Sequence, residues 1–129
     1  MAANSVTSVS LDPPLVLLCP AKTSTTWPHI RSAGRFCINV MAGHHEELTR
    51  RFAAKNVDRF VDVDYECGTA GPILGEALAW IACDLKDEHD AGDHTIAVAR
   101  VLGLGSGAEL AEPLVFFRGS YGSFRAAGS

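Results

Sequence analysis

The polar and apolar positions of the first forty residues change rhythm several times. Ser5 to Leu11, "SVTSVSL", mixes β-branched and hydroxyl side chains and predicts a strand. Asp12-Pro13-Pro14 ends it, because proline has no N–H to give to a sheet ladder. Leu15 to Cys19 is then apolar without a break, the pattern of a strand covered on both faces. Ser24 or Thr25 is placed to cap a short helix that carries Pro28 in its first turn and closes at Gly34. Arg35 to Met41 alternates, with Phe36, Ile38 and Val40 on one face and Cys37, Asn39 and Met41 on the other.

The second half continues in short pieces. Glu46 to Ala54 predicts a helix in which Leu48 and Phe52 share a face and Glu47 pairs with Arg51. Val61, Val63, Tyr65 and Cys67 alternate with Asp62, Asp64 and Glu66, which predicts a strand; "GTAGP" then reads as a turn or loop. Leu78 to Lys86 and Thr95 to Leu102 read as strands on either side of a hairpin loop, "DEHDAGDH". "GLGSGAE" reads as a flexible turn, Leu114 to Arg118 as the last strand, and "RAAGS" as a loose tail. Many short strands, few helices and antiparallel connections make the fold class mainly β: a small β-barrel with peripheral helices.

At 129 residues the chain is one domain's worth of core. A net charge of −4 argues against a nucleic-acid partner, which asks for a basic stripe. No apolar run is long enough to span a bilayer, and no secretory leader pattern opens the chain, so no membrane partner and a cytoplasmic setting are expected. Cys19, Cys37, Cys67 and Cys83 are widely spaced with no C-x-x-C, which predicts buried, reduced thiols rather than a zinc or redox pair.

Chemistry concentrates in a few stretches. "AKTST" combines the cation of Lys22 with the hydroxyls of Thr23, Ser24, Thr25 and Thr26 at the mouth of a predicted helix, and so suits a phosphate; an ordinary capped helix beside a solvated lysine is the alternative. The oily strand just before it would give a flat aromatic ligand with a phosphate tail its wall, and flavin mononucleotide is such a ligand. "AANS", Ala2 to Ser5, is small enough for its backbone to approach a planar ring. His94 in "GDHT" stands at the lip of a hairpin, where it contacts a second ligand or is simply solvated. In "FFRGSYG", Arg118 suits an anion and Tyr121 a ring, or the stretch is an edge strand ending in a turn. His44-His45-Glu46-Glu47 does not carry a metal reading, since neighbouring residues on a helix point apart. Neither G-x-S-x-G nor G-x-G-x-x-G is present, so neither a hydrolase elbow nor a dinucleotide fingerprint is available.

The stretch "ANSVTSVSLDPPLVLLCPAKTSTTWPHIRSAGRFCINVM" resembles the core signature of the flavin reductase-like domain, the FMN-binding split barrel. The likeness continues, in order, through "LTRRFA", "DRF", "GPILGEALAWIACDL", "GDHTIAVARV" and "PLVFFRGSYG". It implies a domain over residues 1–125 with a tail at 126–129, a homodimer, and the reductase part of a two-component monooxygenase. NADH or NADPH would reduce FMN or FAD, and the reduced flavin would pass transiently to an oxygenase partner. Carried over, Asn4, Ser5 and Val6 line the flavin ring with Cys19 and Pro20 beside it. Lys22, Ser24 and Thr25 hold the phosphate, Arg51 and Phe52 lie near the flavin's tail, His94 meets the nicotinamide, and Tyr121 closes the site. In that family several tens of residues precede the signature and form a helix and the first two strands. This chain starts at Met1, immediately before "AANS", which implies a barrel short of its first strands and lowers the expectation of activity. The alternatives are a flavin binder that does not turn over, or a barrel domain that binds a partner and no flavin.

Overall fold

Nine strands and two helices follow one another in the computed structural model, which describes residues 1–55, 57–107 and 111–128. The main sheet is antiparallel, with strand order β1-β2-β7-β6-β3, built from β1 (Val6–Leu11), β2 (Pro14–Leu18), β3 (Arg35–Val40), β6 (Ala79–Ala91) and β7 (His94–Ser106). Two hairpins stand apart from its ladder: β4 (Tyr65–Gly68) with β5 (Gly71–Leu74), and β8 (Leu114–Phe117) with β9 (Ser120–Ser123). Helices α1 (Trp27–Ala33) and α2 (Glu46–Ala53) flank β3 in sequence. The fold is mainly β, as the alternation predicts, and the sheet does not close, which is the split form of a barrel.

The core follows from the alternation. Val16 and Leu18 of β2 are buried, as are Ala97 and Ala99 of β7, Phe36 of β3 and Cys83 of β6. Trp27 from the first position of α1 packs into the same cluster, 5.9 Å from Phe36 in an edge-to-face arrangement. The alanines of β7 leave the volume that the indole needs. The indole N–H donates to Glu88 at 2.9 Å, and Glu88 also receives Arg31 at 3.0 Å, so α1 is fastened to β6 by a polar contact as well as by packing. Gly34 closes α1 in the left-handed conformation, with φ of 78°.

Side chains extend the sheet past its edge at β3. The Asn39 amide donates to the Pro72 carbonyl at 3.1 Å and accepts from the Leu74 N–H at 2.9 Å, which holds β5 against β3. The Leu114 N–H donates to the Met41 carbonyl and brings β8 to the end of β3.

Several local expectations are corrected. The alternation of Val61–Cys67 yields a strand only from Tyr65, because Val61–Asp64 is taken up by a turn and an irregular stretch in which Asp62 has φ of 53°. "GTAGP" turns at Thr69–Ala70 as expected, but its Gly68, Gly71 and Pro72 belong to the hairpin in which β5 pairs back on β4. "DEHDAGDH" is mostly ladder: β6 and β7 run on until Ala91 faces His94, leaving Gly92 and Asp93 as the turn. Gly103–Ser106 of the supposed flexible turn continue β7 opposite Ala79–Ala82, and Ala108 and Glu109 lie outside the described residues. Leu114–Arg118 is not the last strand. Arg118 and Gly119, both at positive φ, turn the chain into β9, the backbone twist that suits a two-residue hairpin. Of the loose tail, Ser129 lies outside the described residues. Arg51 does not pair with Glu47; it donates to the Val61 carbonyl, while Glu46 and Arg50 form the i,i+4 pair at 3.1 Å. The cysteines are free, but only Cys83 is buried; Cys19 and Cys37 are half-buried and Cys67 is exposed.

A candidate flavin cleft

Strand β2 does not stop being held where its ladder ends. The Thr95 N–H donates to the Pro20 carbonyl and the Lys22 N–H to the Asp93 carbonyl, both at 2.9 Å. Ala21 and His94 form an antiparallel bridge. The tip of the β6–β7 hairpin is thereby stitched to the segment after Cys19, and His94 becomes part of its wall. On the other side the Ser5 hydroxyl donates to the Cys19 carbonyl at 3.4 Å, a long contact that keeps the Asn4–Ser5 backbone alongside.

Between these segments and the end of α2 lies a cleft of about 360 Å³, within the range of small-molecule sites. Some of its lining is small and apolar: Ala2, Ala3, Cys19, Pro20 and Ala21. The lining also includes Ser24, Thr25 and Thr26 and the cations Lys55 and Arg59. Arg59 is held by three contacts. It donates to the Thr26 hydroxyl at 2.9 Å and to the Ala54 carbonyl at 3.2 and 2.9 Å. Phe52 also lines the cleft and is backed by an aromatic row, with ring centroids 5.2 Å to Phe60 and 5.0 Å from there to Tyr65.

The structure therefore brings together Asn4, Ser5, Cys19, Pro20, Ser24, Thr25, Phe52 and His94. It does not bring Lys22 or Arg51 to the same cavity. The Lys22 ammonium pairs with Asp90 on the hairpin, and Arg51 is spent on the Val61 carbonyl. The helix mouth is also less free than the hydroxyl-rich sequence suggests. α1 has only seven residues, and Ser24 Oγ already accepts from the Thr26 and Trp27 N–H groups at 3.3 and 3.1 Å. Val6 and Tyr121 line a second cavity of about 490 Å³, which shares Ala2, Ala3, Asn4 and Ala53 with the first. There Tyr121 stacks against Phe116 and carries the Arg50 guanidinium 4.7 Å above its ring. Arg118 lies instead over Phe117, at 5.1 Å.

Lys55 and Arg59 are the site residues that sequence reasoning missed. The signal was the "DRF" stretch, whose cation is separated from the hydroxyls by more than thirty positions and reaches them only through the loop after α2. His94 Nδ1 lies 2.8 Å from Asp93 Oδ1, and this hydrogen bond, then the charge of His94, holds the Asp93 carboxyl below its usual range.

His44, His45 and Glu76 also meet, with donor atoms within 4.8 Å of one another. The Ala42 N–H donates to His45 Nδ1 at 3.2 Å, so the neutral ring carries its proton on Nε2 and keeps no lone pair for a metal. Burial, and then the neighbouring His44 charge, pushes the His45 pKa down, so this neutral form is the favoured one.

The residues of the cleft fit a flavin phosphate: small apolar side chains for the ring, and cations and hydroxyls for the anion. Comparison with known proteins agrees. The flavin reductase like domain matches residues 1–125. A flavin reductase of Pseudomonas putida is 44% identical over 127 residues, 98% of this chain and 74% of that protein. The reductase subunit HsaB of a flavin-dependent monooxygenase from Rhodococcus jostii is 43% identical, over 93% of this chain and 62% of that one. Among solved structures, a homologue of nitrilotriacetate monooxygenase component B from Mycobacterium thermoresistibile superposes with a TM-score of 0.91 at 38% identity, covering 95% of this chain and 70% of that one. An NADH:FAD oxidoreductase of Streptomyces globisporus, in complex with NAD and FAD fragments, superposes at 0.90 with 32% identity, covering 98% and 78%. The chain thus spans between about three fifths and four fifths of the length of these relatives, and it belongs to the flavin reductase like domain family.

Proposed function

We propose that this chain is an NAD(P)H:flavin oxidoreductase that supplies reduced flavin to a partner monooxygenase. The observation that carries the reading is the mixed lining of the cleft: small apolar side chains together with Thr25, Thr26, Lys55 and Arg59. When bound, reduced nicotinamide and flavin supply the chemistry themselves, a hydride passing between them. The protein's residues bind and align. Ala2–Ser5 and Cys19–Pro20 form the wall for the ring, with N–H groups near Asn4 and Ser5 facing its rim. Thr25, Thr26, Arg59 and Lys55 take the phosphate, with Ser24 ordering their turn. Phe52 and the aromatic row behind it bound the tail end. His94, at the hairpin tip, takes the nicotinamide. Lys22 acts through Asp90 and Asp93, pinning the hairpin that carries His94.

A homodimer belongs to the same reading. Leu11, Leu104 and Phe117 are 90%, 69% and 66% exposed, large apolar side chains of the kind that a second copy would cover.

The test is direct. FMN or FAD is added to the purified chain, its fluorescence is followed, and NADH or NADPH is then added in air. Quenching followed by nicotinamide consumption is the expected result. Quenching without consumption leaves only a flavin binder, and neither signal removes flavin from the account. Light scattering on the same sample reads the oligomeric state.

A further inference from the structure

Of the charged groups at the hairpin tip, Asp93 has no partner in the flavin reading, yet its carboxylate sits 2.8 Å from His94 Nδ1. We propose that Asp93 is a positioning residue that fixes which nitrogen of His94 carries the proton and which is left as an acceptor. The proposal rests on the flavin-reductase reading for its consequence but not for its chemistry.

An ionised carboxylate has no proton to give, so the hydrogen bond requires the proton on Nδ1. The low pKa of Asp93 keeps it in that ionised form. A neutral His94 then has its lone pair on Nε2, the nitrogen away from Asp93. His94 lines the cleft, so a ligand there that meets Nε2 meets an acceptor rather than a donor. An acceptor there suits the amide N–H₂ of a nicotinamide carboxamide. The backbone supports the arrangement independently of the side chains. The Asp93 carbonyl accepts from the Lys22 N–H, and His94 bridges to Ala21, so both residues are held to the cleft wall. The other charges at this tip are Lys22 and Asp90, which pair with each other.

The tautomer is read by long-range proton–nitrogen NMR of the histidine rings in the flavin-free chain, at a pH where they are neutral. His94 is expected with its proton on Nδ1. In Asp93→Ala it is expected to move to Nε2, and in Asp90→Asn to stay on Nδ1. Steady-state turnover adds the functional arm: Asp93→Ala raises the KM for NADH by about fivefold, the size of one neutral hydrogen bond, with kcat changed less. A wild-type ring protonated on Nε2, or an Asp93→Ala ring unchanged from wild type, overturns the proposal. So does a displaced tautomer with an unaltered KM. Because the NMR arm needs neither flavin nor turnover, failure of the flavin reading shows up separately, as a chain that binds no FMN and still carries the Nδ1 tautomer.

Discussion

Replacing Arg59 with alanine separates the proposed phosphate-binding cation from the rest of the cleft. Arg59 is partly buried and held by Thr26 and Ala54, so its guanidinium is ordered before any ligand arrives. A hydrogen bond to a charged group contributes about 1.5–3 kcal/mol, which converts to roughly a 10- to 150-fold loss of FMN affinity. Solvent reaches this open cleft, so the lower part of that range is expected, about 10- to 30-fold. Riboflavin has the same ring without the phosphate, and its affinity is expected to change less than about threefold. Lys22→Ala serves as the comparison: its ammonium already pairs with Asp90, and FMN affinity is expected to fall by less than about fivefold. Flavin fluorescence titration measures all three numbers, and Arg59→Lys recovers part of the loss if charge is what matters. An Arg59→Ala chain that keeps its thermal midpoint but loses FMN and riboflavin equally would refute the assignment. A larger effect from Lys22 than from Arg59 would return the phosphate to the segment after β2.

Glu88→Ala leaves the buried Trp27 indole N–H without its acceptor and is expected to cost about 1–3 kcal/mol in urea unfolding, whereas Arg31→Ala, at the exposed side of the same contact, costs under about 1 kcal/mol. Gly107→Ala would set a Cβ 2.1 Å from the Ala77 carbonyl oxygen, too close for the backbone to tolerate unmoved. A loss of about 1–3 kcal/mol is expected, against almost none for Gly122→Ala, whose Cβ meets nothing within 4 Å. Burial, and then the nearby Cys37, pushes the Cys83 thiol up to about 12, so a thiol reagent at pH 8 is expected to modify exposed Cys67 first and to reach Cys83 only after unfolding; mass mapping of the labelled peptides decides. His45 has its pKa lowered on folding, so the unfolded chain binds the extra proton first. Its contribution to stability is complete above the ordinary histidine value and declines as pH falls from there toward the lowered folded one. His45→Gln is expected to flatten the slope of stability between pH 7 and 5, and an unchanged slope would place that dependence elsewhere.

The fold was legible wherever a strand has one buried face. Val16 and Leu18, or Phe36 opposite Cys83, announce their side by alternation, and Gly34 announces the end of α1 by the conformation only glycine adopts easily. The hairpins β4–β5 and β8–β9 were obscured because their register is set by turns at Thr69–Ala70 and Arg118–Gly119 rather than by a core. The length of β6 was hidden because its outer half, Asp87–Ala91, is polar and mostly exposed, and a solvated ladder looks like a loop in sequence. In the cleft, residues next to one another in sequence were found: Asn4 and Ser5, Cys19 and Pro20, and Ser24 and Thr25. The cations were not, because Arg59 meets Thr26 only through the path of the chain after α2. Lys22 looked free only because Asp90 is far away in sequence.

In the proposed reading one cleft, walled by Asn4–Ser5 and Cys19–Pro20, receives the flavin ring and hands its phosphate to Thr25, Thr26 and Arg59. A crystal structure of the chain soaked with FMN tests this. Phosphate oxygens are expected within hydrogen-bonding distance of the Arg59 guanidinium, with the ring plane against Pro20. Flavin bound with its phosphate beside Lys22 and Asp90, or seated in the cavity that holds Tyr121, would contradict it.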